Sequence, residues 1–377
     1  MTVPLLLTDA VNAAVPVRAQ VVDGLSAAID RVAAGAPATH RFLTYGWFAA
    51  AVSAYGGHPR TLVVEQGDVP VLAMPLVELG PRQARLVAVP GSYWPFRSFP
   101  VAVDGGVGVA GPALEALAGA ANGVRLGPIY DKDPASAALV AAARARGWTV
   151  LDRFVAHSWV FDMAGAAAAG QWPRSSTLRK NRNRERHLAA QGEVDWRFLH
   201  GADWPAALAL LGQVEARSWV KTRTGGCDAK FLPEGHLGFW QAACADPALA
   251  SMMRGAVMTL DGHPAAFSFD LEIGSLKYAI ANSYDPAVAR HSPGNLLHYR
   301  NLMDAKQRGI DCVDWGAGDS GYKQEIGAIQ GPALRDWLLL RPGVPAMLGR
   351  LARGIWRRSG NPQPASQSAP QPATATD

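Results

Sequence analysis

The sequence predicts a two-domain α/β protein, α+β in the arrangement of its strands, with each domain a mixed, mostly antiparallel sheet flanked by helices. Three observations lead there. The chain has 377 residues, more than one core accommodates and suited to two domains of roughly 100–200 residues each. Ala-rich helical stretches alternate with short apolar strand-like runs along its whole length. Residues 252–284 read as an antiparallel meander: MMRGAVMTL turns at Asp261-Gly262 into PAAFSFDLEI, which turns at Gly274-Ser275 into LKYAIANSY.

The elements follow in order. Residues 1–40 are apolar and weakly patterned, consistent with a peripheral strand and helix. TYGWFAAAVSAY, residues 44–55, reads as a helix anchored by Trp47 and Phe48. Residues 61–79 form a hairpin about Gly67-Asp68. A strand (ARLVAVPG), an aromatic loop (SYWPFRSFP) and helices over 112–121 and 134–146 come next, with the strand VRLGPI between the two helices. The extended run 148–163 bridges the halves, and 164–170 is a small-residue linker. A basic helix over 172–191 leads to the strand EVDWRFLH. Asp203 with Pro205 just inside signals a helix reaching about Trp219, because Asp caps free N–H groups and Pro lacks one. A helix over 233–244, the meander, a helix over 295–308 closed by Gly309, the strand CVDWG, the turn GAGDSGYK and a last strand near 334–340 complete the pattern. Domain limits are therefore expected at 1–163 and 164–341, followed by a basic amphipathic helix at 342–358 and a Pro-rich, nearly uncharged tail at 359–377 expected to be disordered.

Composition narrows the function. The net charge is +5, with 49% hydrophobic and 18% charged residues, a globular balance. Five Arg, one Lys and one Glu between residues 174 and 186 account for +5, and four Arg between 350 and 358 add +4. The remainder is thus near −4, so a uniformly basic nucleic-acid binder is a poor description. Cys227, Cys244 and Cys312 are odd in number and lack a C-x-x-C pair, against a disulfide framework or structural zinc and in keeping with a reducing cytoplasm. MTVPLLLTDAVNAAVPV lacks the basic start of a signal peptide, and no long uninterrupted apolar run appears, so neither secretion nor a spanning helix is expected. The second-half histidines show no H-x-x-x-H or H-E-x-x-H spacing, and no metal site is expected.

The order of three antiparallel strands, a loop with Pro-Gly, a helix, a strand and a terminal strand is the layout of the Gcn5-related N-acetyltransferase fold. DGHPAAF, NSYDPAVARHSPGNLL, AKQRGIDCVDWGAGDSGYK and, upstream, EARSWVKTRTG together resemble the CelD/BcsL (BioF2-like) acyltransferase family, relatives of the FemAB peptidyltransferases, over roughly residues 40–340. The resemblance implies two tandem acetyltransferase-like domains, the first degenerate. It further implies acyl-coenzyme A as co-substrate and N-acyl transfer to an amine acceptor, small or carrier-linked, such as an amino sugar in exopolysaccharide or cell-envelope synthesis.

The residues themselves suit such chemistry. At Arg290, His291, Ser292, Gly294, Asn295 and Leu296 a loop opens a helix, where unpaired N–H groups and a partial positive charge favour a pyrophosphate and Gly294 lets a phosphate approach. The family writes this loop Q/R-x-x-G-x-G/A; here Asn295-Leu296 replace the second glycine. Ser-Pro-Gly also serves simply to start a helix. In GAGDSGYK, Tyr322 matches the tyrosine that protonates a departing thiolate in the fold. Asp319 is a base or substrate anchor, or else a helix cap, and Lys323 a contact for phosphate or carboxylate. Asp270 and Glu272 share one strand face, as a base candidate with substrate or as a solvated surface. Glu215 is a reserve base, since the resemblance implies that this helix end, with Trp219 and Lys221, borders the acceptor cleft. Arg179, Arg182 and Arg186 recur at three and four residues, a stripe for an anionic acceptor or a solvated face. No Cys or Ser sits in a nucleophile motif, so direct attack in a ternary complex is expected.

Two other readings stay open: a Fem-like aminoacyltransferase using aminoacyl-tRNA, for which the long helical hairpin is missing, and a non-catalytic accessory protein of polysaccharide synthesis. The amphipathic run RPGVPAMLGRLARGIWRR suits either an anionic membrane surface, peripheral to its inner face, or docking on the domain.

Overall fold

The computed structural model describes residues 15–91, 97–103, 107–318 and 321–361. Its first half runs β1 (Val17–Asp23), α1 (Ala28–Ala34), α2 (Tyr45–Tyr55), β2 (Arg60–Gln66), β3 (Val69–Leu79), β4 (Leu86–Ala88), α3 (Ala110–Ala120), β5 (Gly123–Tyr130), α4 (Pro134–Ala145) and β6 (Thr149–Asp162). The second runs α5 (Met163–Ala168), α6 (Ser175–Ala189), β7 (Val194–His200), α7 (Leu208–Arg217), α8 (Trp219–Thr224), α9 (Leu237–Ala245), α10 (Pro247–Met252), β8 (Met253–Leu260), β9 (His263–Ile273), β10 (Leu276–Tyr284), α11 (Pro293–Gln307), β11 (Cys312–Asp314), α12 (Tyr322–Ile326), β12 (Ile329–Leu340) and α13 (Val344–Arg358). From β1 and from β7 the same order recurs: strand, helices, three strands, helix, strand, helix, strand.

Local chemistry sets the ends of these elements. Thr44 accepts from Trp47 N to start α2, and Asp133 accepts from Ser136 N with Pro134 at the first position of α4. Two expectations are corrected. Asp203 is spent on the His200 amide and the Arg197 guanidinium, so α7 begins only at Leu208, and Ser218 breaks it before α8. The run expected as a linker at 164–170 is largely helical, because Asp162 accepts from Gly165 N and caps α5.

All the strands join one sheet, in the order β1-β2-β3-β4-β5-β12-β6-β11-β10-β9-β8-β7. Most neighbours are antiparallel, but each half holds one parallel pair, β4 with β5 and β10 with β11. The expected boundary at 163/164 falls at the end of β6, whose length pairs with β12 and whose last residues, Val160 to Asp162, pair with β11. β12 lies between β5 and β6, so the two segments exchange a strand. Asp336 holds it there, accepting from Arg125 on β5 and Arg153 on β6 at 2.6–3.0 Å.

The main core is continuous between the halves: Trp47 of α2 meets Phe239 and Trp240 of α9 edge-on, and Trp240 meets Phe269 of β9 at 4.8 Å. A smaller cluster of Phe161, Trp172, Tyr299, Leu302, Val313 and Trp315 lies under α11 and bounds the site. Of the tail expected to be disordered, residues 362–377 lie outside the described residues.

Candidate functional site

A parallel pair of unequal strands makes an opening. Only Leu276, Lys277 and Tyr278 of β10 pair with β11, which stops at Asp314, while β10 continues to Tyr284. At the parting β10 is irregular between Ala279 and Ala281. Beyond the carboxyl ends of parallel strands a sheet leaves a crevice for ligand. Two segments lead on from this mouth: α11 with its preceding turn, which follows β10, and Gly316 to Gly318, which follow β11.

Helix α11 starts with Ser292 in the left-handed region (φ 52°), Pro293 at its first position and no side-chain cap. Its first N–H groups therefore offer a partial positive charge. Gly294 has a reason beyond ligand approach: a Cβ there would lie 2.8 Å from the ring of Tyr284, so only glycine lets the helix sit against the end of β10. Arg290 bonds the Gln191 side chain and His291, tying this turn to the end of α6. Leu296 is buried in the small cluster with Leu188 and Met258.

Asn295 opens onto a pocket of about 90 Å³ that it shares with Trp172, Arg174, Lys180, Arg184 and Tyr322. The size suits a phosphate or an acyl group, well short of the several hundred Å³ of a whole-ligand site. Thr177, Lys180, Asn181 and Arg184, one i, i+3, i+4, i+7 face of α6, line it. Arg179, Arg182 and Arg186, by contrast, lie on the exposed face of the helix. Both faces of α6 are basic, so periodicity alone could not choose between them.

Under α11 sits a dry polar cluster. Asp270 and Glu272 do not face solvent: α11 covers them, and Lys277, itself fully buried, bonds both at 2.8 Å. Asn301 donates to Asp270 Oδ2 and Ser268 Oγ at 2.7 Å. Asp270 Oδ1 has no partner, and burial pushes its carboxyl above the usual carboxylate range against the pull of Lys277. His298 is also fully buried; its Nε2 accepts from Trp315 Nε1 at 3.0 Å, which places the ring proton on Nδ1, and Nδ1 has no partner. Burial, with the Lys277 and Lys323 charges, holds its imidazole down to about 3. Tyr322 stands edge-on to His298 at 5.6 Å. Burial and then the Asp270 charge raise its hydroxyl well above the ordinary tyrosine value.

The remaining expected site residues are distributed otherwise. Lys323 is buried under the glycine-rich turn and donates to the carbonyls of Trp315, Ala317 and Gly318, so it holds the turn. Glu215 is buried against the amides of Lys230 and Phe231 at 2.9 and 2.7 Å, pinning a loop. Trp219 is exposed on α8, where Lys221 pairs with Glu234. Asp319 lies outside the described residues. Lys277, His298 and Asn301 went unremarked as site residues. Lys277 was findable, because the turn at Gly274-Ser275 sets it directly across from Glu272. Among the described residues no group of three or more His, Cys, Asp or Glu is placed to hold a metal ion, and no helix is long and apolar enough to cross a membrane.

The second half therefore pairs a splayed parallel strand pair with an uncapped helix start, and it is this half that a family model matches. Residues 175–324 match the acetyltransferase (GNAT) domain. FemX matches with a TM-score of 0.58 and 10% identity, over 86% of this chain and 97% of that one. A conserved protein of unknown function from Bacteroides thetaiotaomicron gives 0.53 and 12%, over 85% and 99%. The C-terminal domain of a putative lysylphosphatidylglycerol synthetase from Agrobacterium fabrum gives 0.51 and 15%, over 87% and 95%. No curated protein matches the sequence. Residues 175–324 are thus similar to a GNAT acetyltransferase domain, and the chain shares a fold along most of its length with these structures.

Proposed function

We propose that the protein is an acyl-coenzyme A-dependent N-acyltransferase, acetyl in the simplest case, acting by direct attack within a ternary complex. The observation that carries this reading is one pocket that joins the first turns of α11, which starts uncapped, the Lys180 and Arg184 face of α6 and Tyr322 of α12. Helix N–H groups and cations suit a phosphate-bearing donor. In the reaction the amine lone pair attacks the thioester carbonyl carbon, the C–S bond breaks as the tetrahedral oxyanion collapses, and the thiolate takes a proton. Tyr322 keeps its proton at neutral pH and serves as that acid; the amine releases its proton to water. The unpartnered Nδ1–H of neutral His298 is a donor for the developing oxyanion. A covalent acyl-cysteine is disfavoured at two positions, because burial raises the Cys244 and Cys312 thiols to about 12 and 11.

For the acceptor, the CelD/BcsL resemblance favours an amino sugar of exopolysaccharide or envelope synthesis, and the basic face of α6 suits one bearing a phosphate carrier. Such a donor and three free cysteines fit a cytoplasmic reaction. The test is thermal stability with and without acetyl-coenzyme A and longer acyl thioesters. A rise in Tm with at least one is expected, and no rise with any at millimolar concentration rejects the reading. With an acceptor in hand, Tyr322→Phe lowers kcat by about 10²-fold or more and leaves donor binding near wild type. An unchanged kcat removes Tyr322 from catalysis.

A further inference from the structure

Helix α13 meets the rest of the protein through its small residues. Ala346 and Gly349 are buried, and Gly349 lies so close to β12 that a Cβ would fall 2.2 Å from Leu340. Thr149 donates to the Ala346 carbonyl, and the Arg153 guanidinium stacks over Trp356 at 4.4 Å. The large apolar side chains are on the other side. Val344, Met347, Leu348, Leu351 and Ile355 are 65, 55, 56, 77 and 71% exposed. At the helical repeat they fall within an arc of about 100°. A groove of about 600 Å³ beside them, walled by Leu86, Leu338 and Leu340, extends the apolar surface. Soluble proteins rarely leave so large a contiguous apolar patch uncovered.

We propose that α13 is an interfacial anchor that docks this protein on an anionic lipid bilayer. Charge names the occupant. Within 344–358 there are four Arg and no acid. At the same repeat Arg350 and Arg357 fall to one side of the stripe, Arg353 falls on the face opposite it, and Arg358 falls within it at its end. This is the composition of a helix lying in the plane of an anionic headgroup layer, apolar face inward. A second copy of the chain would bring two such sets of arginines together. Residues 362–377 hold no Leu, Ile, Val, Met or aromatic side chain with which to fill the stripe. The anchor grips β6 at Thr149 and Arg153, whereas the candidate site adjoins the other end of that strand at Val160 to Asp162. Docking therefore leaves the site's residues untouched, and the proposal does not depend on the acyl-transfer reading.

The test is co-sedimentation of the full chain with vesicles of phosphatidylcholine alone and of an equal mixture with phosphatidylglycerol. Binding to the anionic vesicles is expected, falling as salt rises through about 0.1–0.5 M. Leu351→Ser with Ile355→Ser, and separately Arg353→Glu with Arg357→Glu, each weaken it by at least about tenfold, with melting temperatures held near wild type. Equal binding to both vesicles, or undiminished binding by either variant, overturns the proposal. So does a wild-type dimer that Leu351→Ser with Ile355→Ser converts to monomer, which assigns the stripe to a second copy. Vesicle binding that appears only after removal of residues 1–14 overturns it as well, by showing the stripe already covered.

Discussion

His298 is held neutral by its surroundings: it is fully buried, its Nε2 is engaged by Trp315, and two lysines lie near. An ordinary histidine titrates near 6.5, and this one only at about 3. Between those values the unfolded chain binds a proton that the folded chain refuses, so this residue makes stability rise with pH across the window and fall as pH drops through it. Its contribution is up to about 1.4 kcal/mol per pH unit. Denaturant titrations from pH 4 to 7 should show His298→Gln with a flatter pH dependence than wild type; parallel curves would mean that the ring is solvated. In the sequence nothing set His298 apart from its neighbours, because its character comes from Trp315, which lies 17 residues away and on another element.

At the scale of elements, β9 shows where pattern reading succeeds and where it stops. Alternation correctly placed Asp270 and Glu272 on one face, but it cannot say what lies over that face. Here α11 does, and it converts a solvated surface into a buried ion cluster with Lys277 and Asn301. Removing one member strands the other's charge in a dry interior. Lys277→Met should therefore destabilise by about 3–5 kcal/mol in urea titrations, and Asp270→Asn added to it should recover part of that loss. Strictly additive effects would show the two side chains to be uncoupled. For α6, the helix and its charge were legible while the working face was not. Docking on α11, through Glu185 with Arg300, sets Lys180 and Arg184 beside the pocket and Arg179, Arg182 and Arg186 away from it.

At the scale of the molecule the two halves share one sheet, closed by a strand from the far end of the chain. The strand near 334–340 was readable as a strand, yet its position between β5 and β6 depends on Asp336 meeting Arg125 and Arg153, pairings across about 180 to 210 residues that no local pattern encodes. Both halves hold a parallel pair, and the second combines its opening with an uncapped helix start and, beside it, a basic face and Tyr322. The central claim is that the donor binds at the second opening. Hydrogen–deuterium exchange with and without coenzyme A tests it most directly. The account predicts slowed exchange at residues 292–296 and 312–318, with 86–88 and 107–112 unaffected. Protection confined to the first half, or none anywhere at saturating coenzyme A, would contradict it.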